Sequence, residues 1–195
     1  METLIVLGIA AAVVIWAIVV YNNLVALRNR MRNAFAQIDV QLTRRYDLIP
    51  NLVEAVKGYM GHERATLEAV IAARSAAVAG LKKASADPGD GGAIKELAAA
   101  ETALAGTLGR LFAVVEAYPD LKANENMLRL QEELASTENK VAFARQAFND
   151  AVMRYNTARE TFPSSVIANN FEFKPGEFLD IGTPDARTAP KVSFG

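Results

Sequence analysis

Residues 127–162 read MLRLQEELASTENKVAFARQAFNDAVMRYNTARETF and carry the clearest structural pattern of the chain. Large apolar residues recur there at every seventh position, and small or mid-sized residues fill the positions between them. The first set is Met127, Leu134, Val141, Phe148, Tyr155 and Phe162; the second is Leu130, Thr137, Ala144, Ala151 and Ala158. A seam held over five heptads predicts a straight helix packed on other helices with left-handed supercoiling.

Further helices precede this one. Ile94 to Tyr118 repeat apolar residues at heptad spacing, broken only by Glu101, and Pro119-Asp120 marks a turn. Residues 50–84 form a second helical pattern, with Leu52, Val56, Tyr59, Leu67, Val70, Ile71, Val78 and Leu81 on its apolar side. The proline- and glycine-rich residues 85–92 separate these two helices as a loop. Residues 24–46 carry the first helical pattern.

Pro50 leaves two architectures open. A proline lacks a backbone donor and disfavours helix in the residue before it, so the chain either reverses or kinks there. Reversal predicts an antiparallel up-down bundle of four helices, which we prefer. A kink predicts a longer bundle of three. The helix lengths fit the four-helix bundle imperfectly, because the part of the first helix beyond the membrane would span about 39 Å and the fourth helix about 60 Å.

An uncharged segment precedes the bundle. Residues 4–20, LIVLGIAAAVVIWAIVV, span about 25 Å as a helix, and Trp16 and Tyr21 lie at the end where amphipathic rings prefer the membrane interface. A cleaved signal peptide is the alternative, but Met1-Glu2 gives no basic start and no small-x-small cleavage site follows. We expect a transmembrane anchor over residues 1–23 in the cell membrane. Arg28, Arg30 and Arg32 then place the bundle in the cytoplasm.

The bundle, residues 24–162, is followed by an irregular tail, residues 163–195. Four prolines and several aromatic or aliphatic residues share this tail. The prolines argue against a packed domain, and the aromatics argue against a plain linker. The tail is therefore expected either to lie against the bundle or to bind a partner.

The composition excludes several functions. The chain has no cysteine, and its net charge of -1 offers no basic field for nucleic acid. His62, the single histidine, has no second histidine at zinc-protease spacing. No nucleophile elbow or phosphate-binding glycine loop is present. We expect no enzyme, no cofactor and no metal site.

Polar residues interrupt the apolar stripes and are the candidates for an interaction site or a polar network. They are Asp39, Arg44, Arg45, Asp47, Asn51, Arg74, Glu138, Asn139, Arg145 and Asn149. Charged groups near a core must pair, so ordinary solvated helix faces with a few ion pairs that set the helix register are the favoured interpretation over a ligand site.

The motifs together resemble the LemA family over nearly the whole chain. They include YNNLV at 21–25, RNR at 28–30, QIDVQL at 37–42, RR at 44–45, DLIPNLV at 47–53, VKGY at 56–59, HE at 62–63, AR at 73–74, EAYPDLKAN at 116–124, LQ at 130–131, TENK at 137–140, AR at 144–145, FNDAV at 148–152, YN at 155–156 and FP at 162–163. The resemblance implies an anchored, mainly antiparallel helical bundle with no established enzymatic activity and no accepted catalytic residues.

One member of that family is associated with magnetosome membrane formation, so the resemblance also points to membrane organisation. Some members look like lipoproteins held outside the cytoplasm. This chain lacks their cysteine, but because of these members an extracytoplasmic bundle stays the alternative topology.

Two functions from different classes follow. The first is a non-catalytic scaffold in the membrane, which forms a homo-oligomer or binds a membrane-protein partner. The second is a receptor that binds a ligand or peptide at a polar, membrane-distal tip made of Tyr118, Pro119 and Asp120.

Overall fold

The computed structural model describes residues 1–59 and 63–181; residues 60–62, with His62, and residues 182–195 lie outside the description. The described chain is helical and contains no strand, which confirms the predicted all-α class. Its helices are α1 (Glu2–Lys57), α2 (Arg64–Ala86), α3 (Gly91–Val115), α4 (Pro119–Lys122), α5 (Glu125–Glu160) and α6 (Ser164–Asn170).

The four long helices form the antiparallel up-down bundle that was predicted. Helix α1 packs mainly along α5, and α2 packs mainly along α3. The Phe35 and Phe148 rings meet edge to face with centroids 5.5 Å apart, whereas Arg45, further along α1, reaches Glu138, earlier on α5. Helices α1 and α5 therefore run in opposite directions. Helices α2 and α3 are antiparallel as well, since Lys83 near the end of α2 has its Nζ 2.6 Å from the carboxylate of Glu96 near the start of α3.

The predicted reversal at Pro50 is wrong. Helix α1 continues through Pro50 to Lys57, residues 58–59 form a turn, and α2 begins at Arg64. A proline within a helix deprives the carbonyl four residues earlier of its amide partner, and here that carbonyl belongs to Tyr46. Arg74 of α2 fills the gap, because its Nε donates to the Tyr46 oxygen at 2.7 Å. The chain keeps four long helices, so the three-helix alternative is wrong as well.

The later turn also removes the mismatch in helix length. Counted from Leu24, α1 extends 34 residues to Lys57, and α5 has 36 residues, so the two span about 51 and about 54 Å. Both turns at the far end of the bundle then meet. The Asn124 side chain, at the start of α5, donates to the Tyr59 hydroxyl at 3.3 Å.

The heptad seams form the core, with few exceptions. Of the large seam residues of α5, all but the last are buried: Met127, Leu134, Val141, Phe148 and Tyr155. Phe162 lies beyond the end of α5 and is 79% exposed, so its assignment to the core is wrong. Ile71 and Val78, predicted on the apolar side of the second helix, are also largely exposed. Glu101 is fully buried even though it breaks the seam of α3.

The apolar N-terminal part of α1 projects from the bundle. Its most hydrophobic 18-residue stretch has a mean hydropathy of 2.9 and none of it is buried. Helix α3 is also long and apolar enough to cross a membrane, but its seam residues from Ile94 to Val115 face the core of the bundle. The N-terminal segment is therefore the better candidate for the membrane span.

Candidate functional site

A buried charged cluster joins three of the long helices. Arg45 of α1 is 3% exposed and Glu101 of α3 is fully buried, and the guanidinium Nη2 donates to the Glu101 carboxylate. Nη1 of the same arginine donates to Glu138 of α5 at 2.6 Å. The Tyr46 hydroxyl donates to the second oxygen of Glu101. The cluster thus fixes the relative heights of α1, α3 and α5.

The electrostatics of this cluster follow from its burial. Burial raises the pKa of the Glu101 carboxyl, although the Arg45 charge beside it acts in the opposite direction. Burial and the neighbouring Glu101 charge raise the pKa of the Tyr46 hydroxyl, which therefore stays protonated as a donor. Two carboxylates face one guanidinium, and Arg45 Nε has no hydrogen-bond partner in the described structure. The cluster therefore holds two carboxyl groups but only one cation.

A groove opens beside this cluster, between α3 and α5. It has a volume of about 450 Å³ and is lined mainly by apolar atoms. Each wall contributes residues at positions i, i+3, i+4 and i+7 of one helix face. The walls are Ala105, Leu108, Gly109 and Phe112 on α3, and Gln131, Leu134, Ala135 and Glu138 on α5, with Arg45 also at the surface of the groove.

The groove has one charged end. Glu101 and Glu138 bind the same arginine, so these two residues lie at one level of the antiparallel pair α3 and α5. Phe112 and Gln131 lie further from that level, toward the turn between the helices. The groove therefore runs from the Arg45–Glu138 ion pair toward the end of the bundle that is remote from the N-terminal apolar segment.

A second set of candidate residues holds the tail. Arg145 Nη1 donates to the Ile181 carbonyl at 2.6 Å, and the Asn149 amide bonds to both the amide and the carbonyl of Leu179. Asn156 makes the same two-point contact with Gly176. Residues 173–181 therefore lie against α5. For this stretch of the tail, contact with the bundle is the predicted alternative that the structure has.

The remaining candidates are spread over the surface. Asp39, Asp47 and Arg74 line a cleft of about 370 Å³ between α1 and α2, where Arg74 supports the Tyr46 carbonyl. Three others, Arg44, Asn51 and Asn139, are exposed. The ten residues thus do not share one network: Arg45 and Glu138 form the buried cluster, and Arg145 and Asn149 hold the tail.

The proposed tip residues lie at the start of α4. Tyr118 is half-buried, whereas Pro119 and Asp120 are exposed and begin the helix. Among residues 1–59 and 63–181, no group of three or more histidine, cysteine, aspartate or glutamate side chains could hold a metal ion.

Sequence reasoning missed two members of the buried cluster, Tyr46 and Glu101. Glu101 did leave a signal, since it is the single charged residue at a seam position of α3. A charge at a core position requires a buried partner, and Arg45 was already among the candidate polar residues.

Comparison with known proteins agrees with this architecture. The model of the LemA family matches residues 34–194. The magnetosome protein MamQ of Magnetospirillum gryphiswaldense is 26% identical over 174 residues, which cover 82% of this chain and 64% of that protein. Magnetosome proteins MamQ 1 and MamQ 2 of Paramagnetospirillum magneticum are 25% identical over 177 residues with the same coverage. The chain thus spans less than two thirds of the length of these relatives.

Proposed function

The chain belongs to the LemA family of membrane-associated helical proteins, and from this we propose that it is a non-catalytic membrane scaffold whose α3–α5 groove holds a helix of a partner protein. The relatives that it matches are named magnetosome proteins, a name that supports a role in membrane organisation. The single observation that carries the proposal is the groove, because α3 and α5 leave a space of about 450 Å³ between them that is lined mainly by apolar atoms.

The geometry of the walls supports a helical occupant. The lining residues stand at i, i+3, i+4 and i+7 on both walls, with Gln131 and Glu138 at the two ends of the α5 wall and apolar residues between them, which matches the spacing of an amphipathic helix. The large lining side chains are Leu108, Phe112 and Leu134, of which Phe112 is the more accessible because Leu108 and Leu134 are already buried, and Ala105, Gly109 and Ala135 leave room for the partner's side chains. A helix laid there would complete the packing between α3 and α5.

The charge at one end supports a basic residue in that helix. Glu138 is 59% exposed at its side chain and shares Arg45 with the buried Glu101. A lysine or arginine of the partner would offset the second carboxylate of the cluster. We therefore expect the partner helix to carry one basic residue at the end of its apolar face.

We propose another protein rather than a second copy of this chain as the occupant. A second copy would insert one of its own helices, and unless the insertion is reciprocal the contact is heterologous and closes only as a ring or continues as a filament. The proposal therefore commits to a membrane-protein partner, with a homo-oligomer as the competing result.

The anchor and its orientation belong to the same proposal. The exposed apolar segment of α1 supports a single pass through the cell membrane, and Arg28, Arg30 and Arg32 favour a cytoplasmic bundle. We propose that the partner helix binds along α3 and α5; binding of a ligand or peptide at the tip made of Tyr118, Pro119 and Asp120 stays a prediction of the receptor alternative.

The test is photo-crosslinking from within the groove in intact membranes. A photoreactive amino acid replaces Ala135, which is exposed and lines the groove, and in a matched protein it replaces Ser136, its exposed neighbour on another face of α5. We expect the probe at position 135 alone to give an adduct whose crosslinked peptide has apolar residues at helical spacing and one basic residue. Adducts only to residues 182–195 of the same chain, or only between two copies, would contradict the proposal.

A further inference from the structure

Helix α6 lies where α1 leaves its apolar segment. The Tyr21 ring, just past residues 4–20, meets the Phe171 and Phe173 rings edge to face, with centroids 5.0 and 5.5 Å away. Ala168 of α6 is fully buried, so the short helix is held firmly against the bundle. The sequence of α6, SSVIANN, contains no charged residue.

Three large apolar side chains around α6 point away from the core. Phe162 is 79% exposed, Phe171 is 59% exposed and Val166 is 48% exposed. We call Phe162, Val166 and Phe171 the basal surface. The three residues fall within one ten-residue segment that contains α6, and several exposed apolar residues on one segment indicate contact with another apolar phase, whereas single ones need no explanation.

The depth of this surface is set by Tyr21. An amphipathic ring at the end of a membrane span prefers the lipid–water interface, and Phe171 touches that ring. Arg28 lies seven residues further along α1, about 10 Å beyond Tyr21, and its guanidinium sits 5.2 Å above the Phe173 ring. Apolar groups at the level of Tyr21 with a cation above them reproduce the order of acyl chains and phosphates in a bilayer surface.

We propose that the basal surface inserts into the interfacial region of the same bilayer that α1 spans. The occupant of this surface is lipid, and the bundle then has two membrane contacts, the span and α6. Two contacts fix the tilt of the bundle relative to the membrane, which a single helix leaving the bilayer does not. The inference rests on the membrane span of α1 and is independent of the groove.

Tryptophan fluorescence in vesicles of brominated phosphatidylcholine tests this, because bromine quenches tryptophans that it contacts. Trp16 is the only tryptophan, so Trp16→Phe gives a silent full-length background. Phe162→Trp and Phe171→Trp are made separately in that background. Phe162 is the more exposed of the two, so it reports even if substitution at Phe171 disturbs the packing on Tyr21. Phe143→Trp, at a 74% exposed site on α5, is the control.

We expect Phe162→Trp and Phe171→Trp to show blue-shifted emission and to lose most of their intensity when bromine is near the headgroups, while Phe143→Trp keeps its intensity. Native Trp16 reports separately on the span. If Trp16 is quenched while the tryptophans at positions 162 and 171 are not, the inference about the basal surface is overturned and the membrane span of α1 still stands. Equal quenching of Phe143→Trp would also overturn it, since the whole bundle would then lie on the lipid. Unquenched Trp16 would remove the span and the inference together.

Discussion

Arg74 on α2 donates its Nε to the carbonyl oxygen of Tyr46 on α1 at 2.7 Å. This is the carbonyl whose usual partner would be the backbone amide of residue 50, and residue 50 is a proline. A side chain from the neighbouring helix therefore replaces the missing backbone donor. The contact explains how one helix continues through Pro50, and it gives Arg74 a structural role.

The first prediction uses this pair in a double-mutant cycle. Arg74→Met keeps the aliphatic stem but leaves the Tyr46 carbonyl without a donor, so we expect a loss of about 1–2 kcal/mol in unfolding free energy. In a Pro50→Ala background the backbone amide of residue 50 can bond to that carbonyl, and the same substitution should cost clearly less. Denaturant unfolding in detergent, followed by circular dichroism, measures all four proteins. Equal costs in both backgrounds would mean that Arg74 does not act through this carbonyl.

The second prediction concerns the seam of α5. Phe148 is fully buried and packs edge to face on Phe35, so Phe148→Ala should destabilise the bundle by about 3–5 kcal/mol. The matched control on the same helix is Phe143→Ala, which removes an exposed ring and should change stability by less than about 0.5 kcal/mol. Similar melting temperatures for the two variants would refute the packing of α1 on α5.

The third prediction is a pH dependence that arises from Glu101. Its pKa is raised in the folded state by burial, so the folded protein binds a proton more tightly than the unfolded chain. The contribution of Glu101 to stability is therefore largest below the usual carboxyl pKa and is lost as the pH rises through the folded-state value. Thermal melts between about pH 5 and pH 8 should show that Glu101→Gln gains stability relative to the parent as the pH rises.

Glu96→Gln is the control for this series, because Glu96 lies on the same helix in an exposed ion pair with Lys83. The comparison separates the effect of burial at position 101 from that of removing any carboxylate from α3. A difference between Glu101→Gln and the parent that does not change with pH would contradict a raised pKa of the buried carboxyl.

The sequence predicted the helices and their packing where periodicity is strong. Phe148 and Leu134 repeat at heptad spacing and are buried as expected. Periodicity fails at the ends of elements: Phe162 keeps the spacing but follows the last residue of α5, so its ring is exposed. The predicted reversal at Pro50 was wrong because local helix propensity does not reveal a hydrogen-bond donor on another helix.

The candidate site was only partly predictable. Arg45 and Glu138 were recognised as polar residues near apolar stripes, but the arginine's main partner, Glu101, lies 56 residues away along the chain. Pairing between helices depends on their relative heights, which heptad spacing alone leaves undefined. The groove could not be predicted for the same reason, since it arises from the separation of α3 and α5 rather than from a motif.

The most direct test of the central claim, that the groove holds a partner helix, is to fill the groove without disturbing the fold. A Cβ atom added at Gly109 or at Gly106 of α3 would have no other atom within 4 Å, but only Gly109 lines the groove. The yield of the photo-adduct from position 135 is measured in Gly109→Trp and Gly106→Trp proteins with matching thermal melts. The account predicts that the adduct disappears with Gly109→Trp and persists with Gly106→Trp; an undiminished adduct in the Gly109→Trp protein would contradict it.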